Sequence, residues 1–401
     1  MHHAERGLFE LRRGRPLLIT GAARAIESPD NPAHCDPTSV IVAAVEGLQP
    51  ETLTRLREVG EADPRLVVTR HRVRSMGLEP GKGFDFSLGL NGASEPDQIL
   101  RLASAAYRES IPHPDIRGAT PQEAAGVVLA RMGHLLPAVV AVPTDRERVP
   151  ALRKLLNSGT LLSVTSEEIC DLVSATTLDV VFVSEAPVPL EEAENAHFIL
   201  FRESTGLQEH VAILVGDRAT WPDPVPVRLH SACLTGDLFG SLRCDCGAQL
   251  RGSLAYFAEQ GGGVLLYLAQ EGRNIGLGNK LRAYAIQEGG LDTVDADCAL
   301  GFGPDERRYD VAIQMLRHIG VSSIQLLTNN PEKLQALEEA GIRVVDRQPL
   351  HGTLNRHNLP YVRAKVDRAG HWLHSMLSGG IADRDQDPAV TDGSGESRRR
   401  A

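Results

Sequence analysis

The sequence predicts an α/β and α+β protein of two mixed-sheet domains followed by a disordered C-terminal tail. Three observations carry this reading. At 401 residues the chain exceeds what a single hydrophobic core usually organises, so about two domains are expected. Short apolar, strand-like runs alternate with helical stretches along most of the chain. Near the middle, Pro187, Pro189 and the acidic run Glu191–Glu194 mark a connection. Domains are therefore expected at 1–182 and 183–378, with a tail at 379–401.

Taken in order, residues 8–20 read as a helix, a break at Gly14, and a short apolar strand. Residues 21–36, rich in Ala, Pro, Asp and Asn, read as a loop. Strands are expected at 40–45, 65–69, 84–90 and 138–142, and helices at 50–59, 70–76, 95–109, 121–132, 149–156 and 166–174. In the second half, 197–201 and 210–215 are apolar strands around a Gly-containing turn, a hairpin-like entry. A helix at 248–260, a strand at 264–268, a glycine-rich loop and a helix at 281–288 follow. Residues 379–401 are Gly, Asp and Ser ending in three Arg before Ala401, too poor in apolar residues to bury a core.

Composition narrows the function classes. Hydrophobic content of 42% and charged content of 23% are ordinary for a soluble domain protein. No run of 18 apolar residues occurs, so no membrane partner is expected. The N-terminus lacks a basic-then-apolar leader, which places the protein in the cytoplasm with reduced thiols. A net charge of −10 and 4% aromatics argue against a nucleic-acid partner, which needs excess cations and stacking side chains. Any anion must then be met by a local basic cluster.

Three of the six cysteines fall within fourteen residues: Cys233, Cys244 and Cys246. Three thiolates without a fourth nearby point to a zinc ion with one position left open for water or substrate, as catalytic sites have. Three inert thiols, each behaving as a small apolar residue, are the alternative. A fourth ligand, for example Cys298, would instead close a structural site in a non-catalytic nucleotide-binding module. The loop from Gln270 to Lys280 joins a strand to a helix and carries three glycines. Backbone amides there can approach an anion that the helix dipole also favours, and Arg273, Lys280 and Arg282 add donors. By spacing alone the run Asp305–Arg308 reads as a solvated turn.

The segments RLHSACLTGDLFGSLRCDCGAQL, YLAQEGRNIGLGNKLRAYAIQ, GLDTVDA, LGFGPDERRYD and LLTNNPEKLQALEEAGIRVV occur in that order between about residues 183 and 375. In order and spacing they resemble GTP cyclohydrolase II, the zinc enzyme that opens riboflavin biosynthesis. The resemblance implies a fold of that kind for the second domain, GTP as substrate, one Zn²⁺ per subunit on Cys233, Cys244 and Cys246, and Mg²⁺ on the GTP phosphates. It implies GTP contacts at Arg228, Gln249, Glu271, Gly272, Arg273, Thr293, Thr328 and Lys333. It also implies Asp305 as general base, Arg307 at the α-phosphate and Tyr284 assisting at the ring. A nucleophilic role for Arg307 conflicts with a guanidinium that stays protonated, so charge stabilisation is its conservative role. Ala232 stands where the family often has Glu, which leaves room for another nucleotide as substrate.

Residues 8–175 resemble a second riboflavin enzyme, 3,4-dihydroxy-2-butanone 4-phosphate synthase, through LRRGRPLLIT, FDFSLGL and RGATPQEAAGVVLARMGHLLPAVV. The residues that would carry its chemistry are missing. Its acidic run has no counterpart in 21–31, and Ala119 replaces a metal-binding His. Glu27, Asp30 and His34 form a trio of a kind that polar loops produce by chance. The expectation is a silent scaffold that supports folding or a symmetric homodimer.

Overall fold

The computed structural model describes residues 2–21, 39–90, 95–106, 115–144, 150–174 and 179–378. The trio Glu27, Asp30 and His34 and the tail lie outside the described residues.

The first half comprises α1 (His2–Arg12), β1 (Leu17–Thr20), β2 (Ser39–Ala44), α2 (Pro50–Val59), β3 (Arg65–Thr69), α3 (Arg70–Ser75), β4 (Asp85–Gly89) and α4 (Pro96–Ser104). It continues with β5 (Ile116–Gly118), α5 (Pro121–Met132), β6 (Ala138–Thr144), α6 (Pro150–Asn157), β7 (Leu162–Thr165) and α7 (Ser166–Ser174). Its seven strands form one mixed sheet in the order β5-β4-β3-β6-β2-β1-β7, antiparallel except for the β1–β7 pair.

The second half comprises β8 (Val180–Pro187), β9 (Ala196–Glu203), β10 (Glu209–Val215), β11 (Val225–Ser231), α8 (Leu234–Asp237), α9 (Cys246–Glu259), β12 (Gly263–Leu268), α10 (Glu271–Asn274) and α11 (Leu277–Glu288). It continues with α12 (Thr293–Ala299), α13 (Asp310–Ile319), β13 (Ser323–Leu327), α14 (Pro331–Glu339), β14 (Arg343–Gln348), α15 (Leu359–Ala369) and α16 (His374–Ser378). A second seven-stranded sheet runs β14-β13-β11-β12-β10-β9-β8. Its first four strands are parallel, and β10, β9 and β8 form an antiparallel meander at the other edge.

Most expected elements appear where alternation or helical periodicity places them. α5 begins at Pro121 because Thr120 caps it: the Thr120 Oγ1 accepts from the Glu123 amide at 3.3 Å and the Glu123 carboxylate accepts from the Thr120 amide at 2.7 Å. Three readings change. The described part of the helix expected over 95–109 ends at Ser104, and residues 107–114 lie outside the described residues. The short strands β5 and β7 were not expected; their three or four residues are too few to display alternation. The helix expected from Leu281 begins at Leu277, because Gly276, at φ +85°, completes the turn and its carbonyl accepts from the Lys280 amide at 3.0 Å. Gly278, Asn279 and Lys280 are thus helical rather than part of a loop. The expected boundary between 182 and 183 falls inside β8, all of which pairs with β9 in the second sheet.

Each sheet is covered on both faces. In the first half, α1, α5 and α7 pack on one face. The opposite face is covered by α2, α3 and α4, and also by residues of the second half: Ile275, Ala283, Ile286, Ala296, Ala299, Leu300 and Phe302. The two halves therefore share a core. In the second half α13 and α14 cover one face and α9 the other.

Candidate active site

The site lies beyond the carboxyl ends of the parallel strands β11, β12 and β13, where open sheets place ligands. β11 delivers Arg228, His230 and Ser231 to the pocket, the turn after it delivers Cys233, and α9 opens on Cys246. The loop after β12 brings Gln270 to Arg273, α11 brings Lys280 and Tyr284, and β13 hands over to Thr328 and Lys333.

At one end Cys233, Cys244 and Cys246 converge, their sulfurs within 4.8 Å of one another. Cys233 Sγ and Cys244 Sγ are 3.6 Å apart. A Cβ on Gly236 of α8 would sit 2.6 Å from Cys244 Sγ and 3.0 Å from Cys233 Sγ, so only glycine leaves this cradle open. Hydrogen bonds from Cys244 and Cys246, with the Lys280 ammonium beyond them, hold the Cys233 thiol far below its usual range. Lys280 Nζ donates to Cys233 Sγ at 3.1 Å, to Thr235 Oγ1 at 3.0 Å and to Glu271 at 2.8 Å. Asp237 orders the same corner, accepting from the Cys233 amide at 2.9 Å, Tyr267 Oη at 3.0 Å, and lying 3.1 Å from His230 Nε2. A soft, negatively charged, three-sulfur donor set with a local cation and a glycine-made opening fits a zinc ion. Cys298, on α12, is not part of this group.

The same pocket is lined by cations, two of which, Arg228 and Lys365, lie near Cys246. Arg228 is buried, donates to Gln249 at 2.6 Å and to the Leu327 carbonyl at 2.9 Å, and burial draws its pKa down to about 10. Gln249 in turn donates to Asp245 at 2.6 Å, and Asp245 accepts from Lys365 at 3.0 Å. Lys333 is 5% exposed; its Nζ donates to the Leu229 carbonyl at 2.7 Å and pairs with no carboxylate among the described residues. Burial, then the charges of Arg228, Arg307 and Lys365, push its pKa well below the ordinary lysine range. Burial and the charges of Lys365, Arg307, Lys333 and Arg273 hold His371 down to about 3. A buried ammonium beside further cations is electrostatically costly and is relieved by a bound anion. Among the described residues, Arg228 Nε, His230 Nδ1, Ser231 Oγ and Gln287 Nε2 are also buried without a hydrogen-bond partner, and all four residues line the pocket.

Of the residues the family resemblance implies, all but Asp305 line this one pocket: Cys233, Cys244, Cys246, Arg228, Gln249, Glu271, Gly272, Arg273, Thr293, Thr328, Lys333, Tyr284 and Arg307. Asp305 stands behind Arg307, accepting from its amide at 3.0 Å and its Nε at 2.9 Å. Burial alone would lower the Arg307 pKa, but Tyr309 and the Asp305 carboxylate outweigh it and hold the guanidinium protonated. Tyr284 lies under Lys280 Nζ, 5.7 Å from its ring centre, and burial pushes its hydroxyl up to about 12.

Two donors expected at an anion do other work. Lys280 faces the thiolates, and Arg282 turns away from the pocket to pair with Glu46 of the first half at 3.1 Å. The early start of α11 rotates both off the loop. The sequence reading missed His230, Asp297, Tyr361, Lys365 and His371, which also line the pocket. Tyr361, Lys365 and His371 come from or just after α15, more than 100 residues beyond the cysteines, with no local spacing to signal them.

A thiolate cluster and a set of buried cations lining one cleft are the arrangement of a metal-assisted enzyme acting on an anionic small molecule. The family profile of GTP cyclohydrolase II matches residues 181–349. The GTP cyclohydrolase-2 of Azospirillum brasilense is 42% identical over 373 residues, covering 92% of this chain and 94% of that protein. That of Pseudomonas paraeruginosa is 52% identical over 202 residues, half of this chain and 98% of the relative. The chain belongs to the GTP cyclohydrolase II family and is an enzyme of that class. A two-domain 3,4-dihydroxy-2-butanone 4-phosphate synthase from A. baumannii aligns over 87% of this chain and 99% of its own, at 17% identity and a TM-score of 0.31, too low to bear on the argument. None of the helices among the described residues is long and apolar enough to cross a membrane.

Proposed function

We propose that the protein hydrolyses GTP to 2,5-diamino-6-(5-phosphoribosylamino)pyrimidin-4-one, formate and pyrophosphate, the first step of riboflavin biosynthesis. The observation that carries this is one pocket lined both by the three cysteines with Tyr284 and by the cations Arg228, Arg307, Lys333 and Lys365. Cys233, Cys244 and Cys246 would hold zinc, whose Lewis acidity makes water nucleophilic enough to add at purine C8. One water opens the imidazole ring, a second releases the formyl carbon as formate, and a third cleaves between the α- and β-phosphates to release pyrophosphate.

The chain's own groups divide this work. Tyr284, neutral at physiological pH, donates to the purine as charge develops on its ring. Arg307 stabilises charge at the α-phosphate: held protonated by Tyr309 and Asp305, it is a poor nucleophile, and Asp305 orients it. Lys333 and Arg228 would neutralise the triphosphate, and Mg²⁺ arriving with the nucleotide would add positive charge to its phosphates. Gln249, Glu271, Gly272, Arg273, Thr293 and Thr328 line the same pocket and would orient the nucleotide. Ala232 also lines the pocket, so a competing nucleotide is the second reading to test.

The first half is proposed to be silent as a synthase. Ala119 offers no lone pair to a metal, and Glu123 is committed to Arg117 at 2.7 and 2.8 Å and to its own helix cap. The chain should therefore not convert ribulose 5-phosphate. Product analysis with GTP, Zn²⁺ and Mg²⁺ tests the main reading. Formate and pyrophosphate are expected, whereas intact GTP after long incubation, or faster loss of another nucleotide, would reject it. Arg307→Ala should slow pyrophosphate release, and Tyr284→Phe should slow formate release while nucleotide binding survives.

A further inference from the structure

We infer that the first half of the chain is a positioning element for the active site, acting through Arg131 and His134 on the two loops that carry Arg273 and Arg307. This rests on the proposed placement of Arg307 at the substrate. Three residues other than glycine have positive φ among the described residues: His134 at 56°, Arg273 at 58° and Asn274 at 71°. All three meet at one junction between the halves. Gly272, at φ 62°, extends the left-handed run on the active-site loop. Such a run is intrinsically costly for side-chain-bearing residues and persists only where its surroundings hold it.

The holding contacts are specific. Gln208 Nε2 donates to Asn274 Oδ1 at 3.2 Å and lies 3.3 Å from His134 Nε2. Asn274 Nδ2 donates to the Glu306 carbonyl at 3.1 Å, tying the first loop to the second. Asn279 Nδ2 bridges the His134 carbonyl at 2.9 Å and the Ile275 carbonyl at 3.0 Å. A Cβ on Gly276 would lie 2.9 Å from His134 Cβ, so the turn of the first half fits directly against the loop.

The second loop is gripped at Glu306, between Asp305 and Arg307. One Glu306 oxygen accepts from the Gly303 amide at 2.7 Å and closes the loop on itself. The other accepts from Arg131 Nε at 3.0 Å and Nη2 at 2.5 Å, a two-pronged pair reaching across from α5. Arg131 is half exposed and is not among the pocket-lining residues, so its pair with Glu306 contributes little to stability. Its consequence is where Arg307 stands. Misplacement of a reacting group by about 1 Å can cost on the order of 100-fold in rate.

The test uses the full chain. Arg131→Ala should lower kcat about tenfold with KM within about threefold of the parent, and Arg131→Lys should recover part of the loss. Glu306→Gln should act alike, and the double variant should be no slower than the slower single variant, as coupled partners behave. Hydrogen exchange provides a readout independent of turnover: amides of 272–276 and 303–308 should exchange faster in Arg131→Ala, while those of β11 and β13 do not change. Thr144→Val removes a buried bond to the Val59 carbonyl inside the first half and should leave those loop amides as they are. Unchanged loop exchange in both Arg131→Ala and Glu306→Gln would overturn the inference, as would rate losses that multiply in the double variant. If the parent consumes no GTP, the substrate reading falls, and the exchange experiment still decides this one.

Discussion

At the scale of single residues, the pocket is built from groups that are costly where they stand. Lys333 is an amine in a dry site where burial disfavours its charged form, and Asp297 is a buried carboxyl paired with Arg273 at 3.6 Å. Burial outweighs that cation and raises the Asp297 pKa to about 7, against about 4 for an unfolded carboxyl. A raised carboxyl stabilises the fold below its unfolded pKa and loses that contribution as pH rises through the window from about 4 to 7. Asp297→Asn should therefore gain stability relative to the parent at pH 8, by roughly 1 kcal/mol or about 2–4 °C in Tm, and little at pH 4. Calorimetry at the two pH values checks the sign; an equal shift at both would refute it. The cysteines give a second prediction. Serine at 233, 244 or 246 should strip zinc, since thiolates supply most of the affinity, while Cys298→Ser should retain it. Stoichiometric zinc in Cys244→Ser, by elemental analysis, would remove the assignment.

At the scale of elements, one of the two four-residue helices among the described residues is tightly constrained. α8 spans only Leu234–Asp237, yet it crosses the thiolate cluster so closely that Gly236 has no room for a methyl group. A Cβ there would also press within 3.1 Å of Cys246 Cβ. Gly236→Ala should cut zinc affinity at least tenfold although every ligand remains. Titration of zinc against a chromophoric chelator measures it, and parent-like affinity would show that the cradle yields. The start of α11 matters in the same way. Because Gly276 turns the chain four residues earlier than expected, Lys280 falls on the face toward Cys233 and Arg282 on the face toward Glu46.

At the scale of the whole molecule, the halves are separate sheets with a common core. Ile275, Ile286, Leu300 and Phe302 are each at most 8% exposed, and all of them pack into the first half. Burial of each such side chain contributes about 1.5–3 kcal/mol, so removing the first half should leave a destabilised remainder. A chain beginning at Asp179 keeps β8 whole and all three cysteines. It should bind zinc but melt at least 10 °C lower than the full chain and self-associate through the uncovered helices. An unchanged melting point with a monomeric profile in light scattering would contradict a shared core.

Much of this protein was legible in its sequence because the relevant signals are local. Strands such as β3 and helices such as α2 and α5 follow from alternation, an N-terminal proline and a capping pair within a few residues. The three cysteines lie close together in the chain, so their convergence needed only one turn and one helix start. What depended on distant parts of the chain was decided by packing. Lys365 reaches Asp245 across 120 residues, and Lys333 meets the Leu229 carbonyl across 104. Likewise Arg131 grips Glu306 across 175. No spacing rule spans such separations. Sequence alone determined which chemistry the chain could hold; the tertiary structure decided which cations line the pocket and which serve the scaffold, because only burial and a partner's position set the charge each group sees.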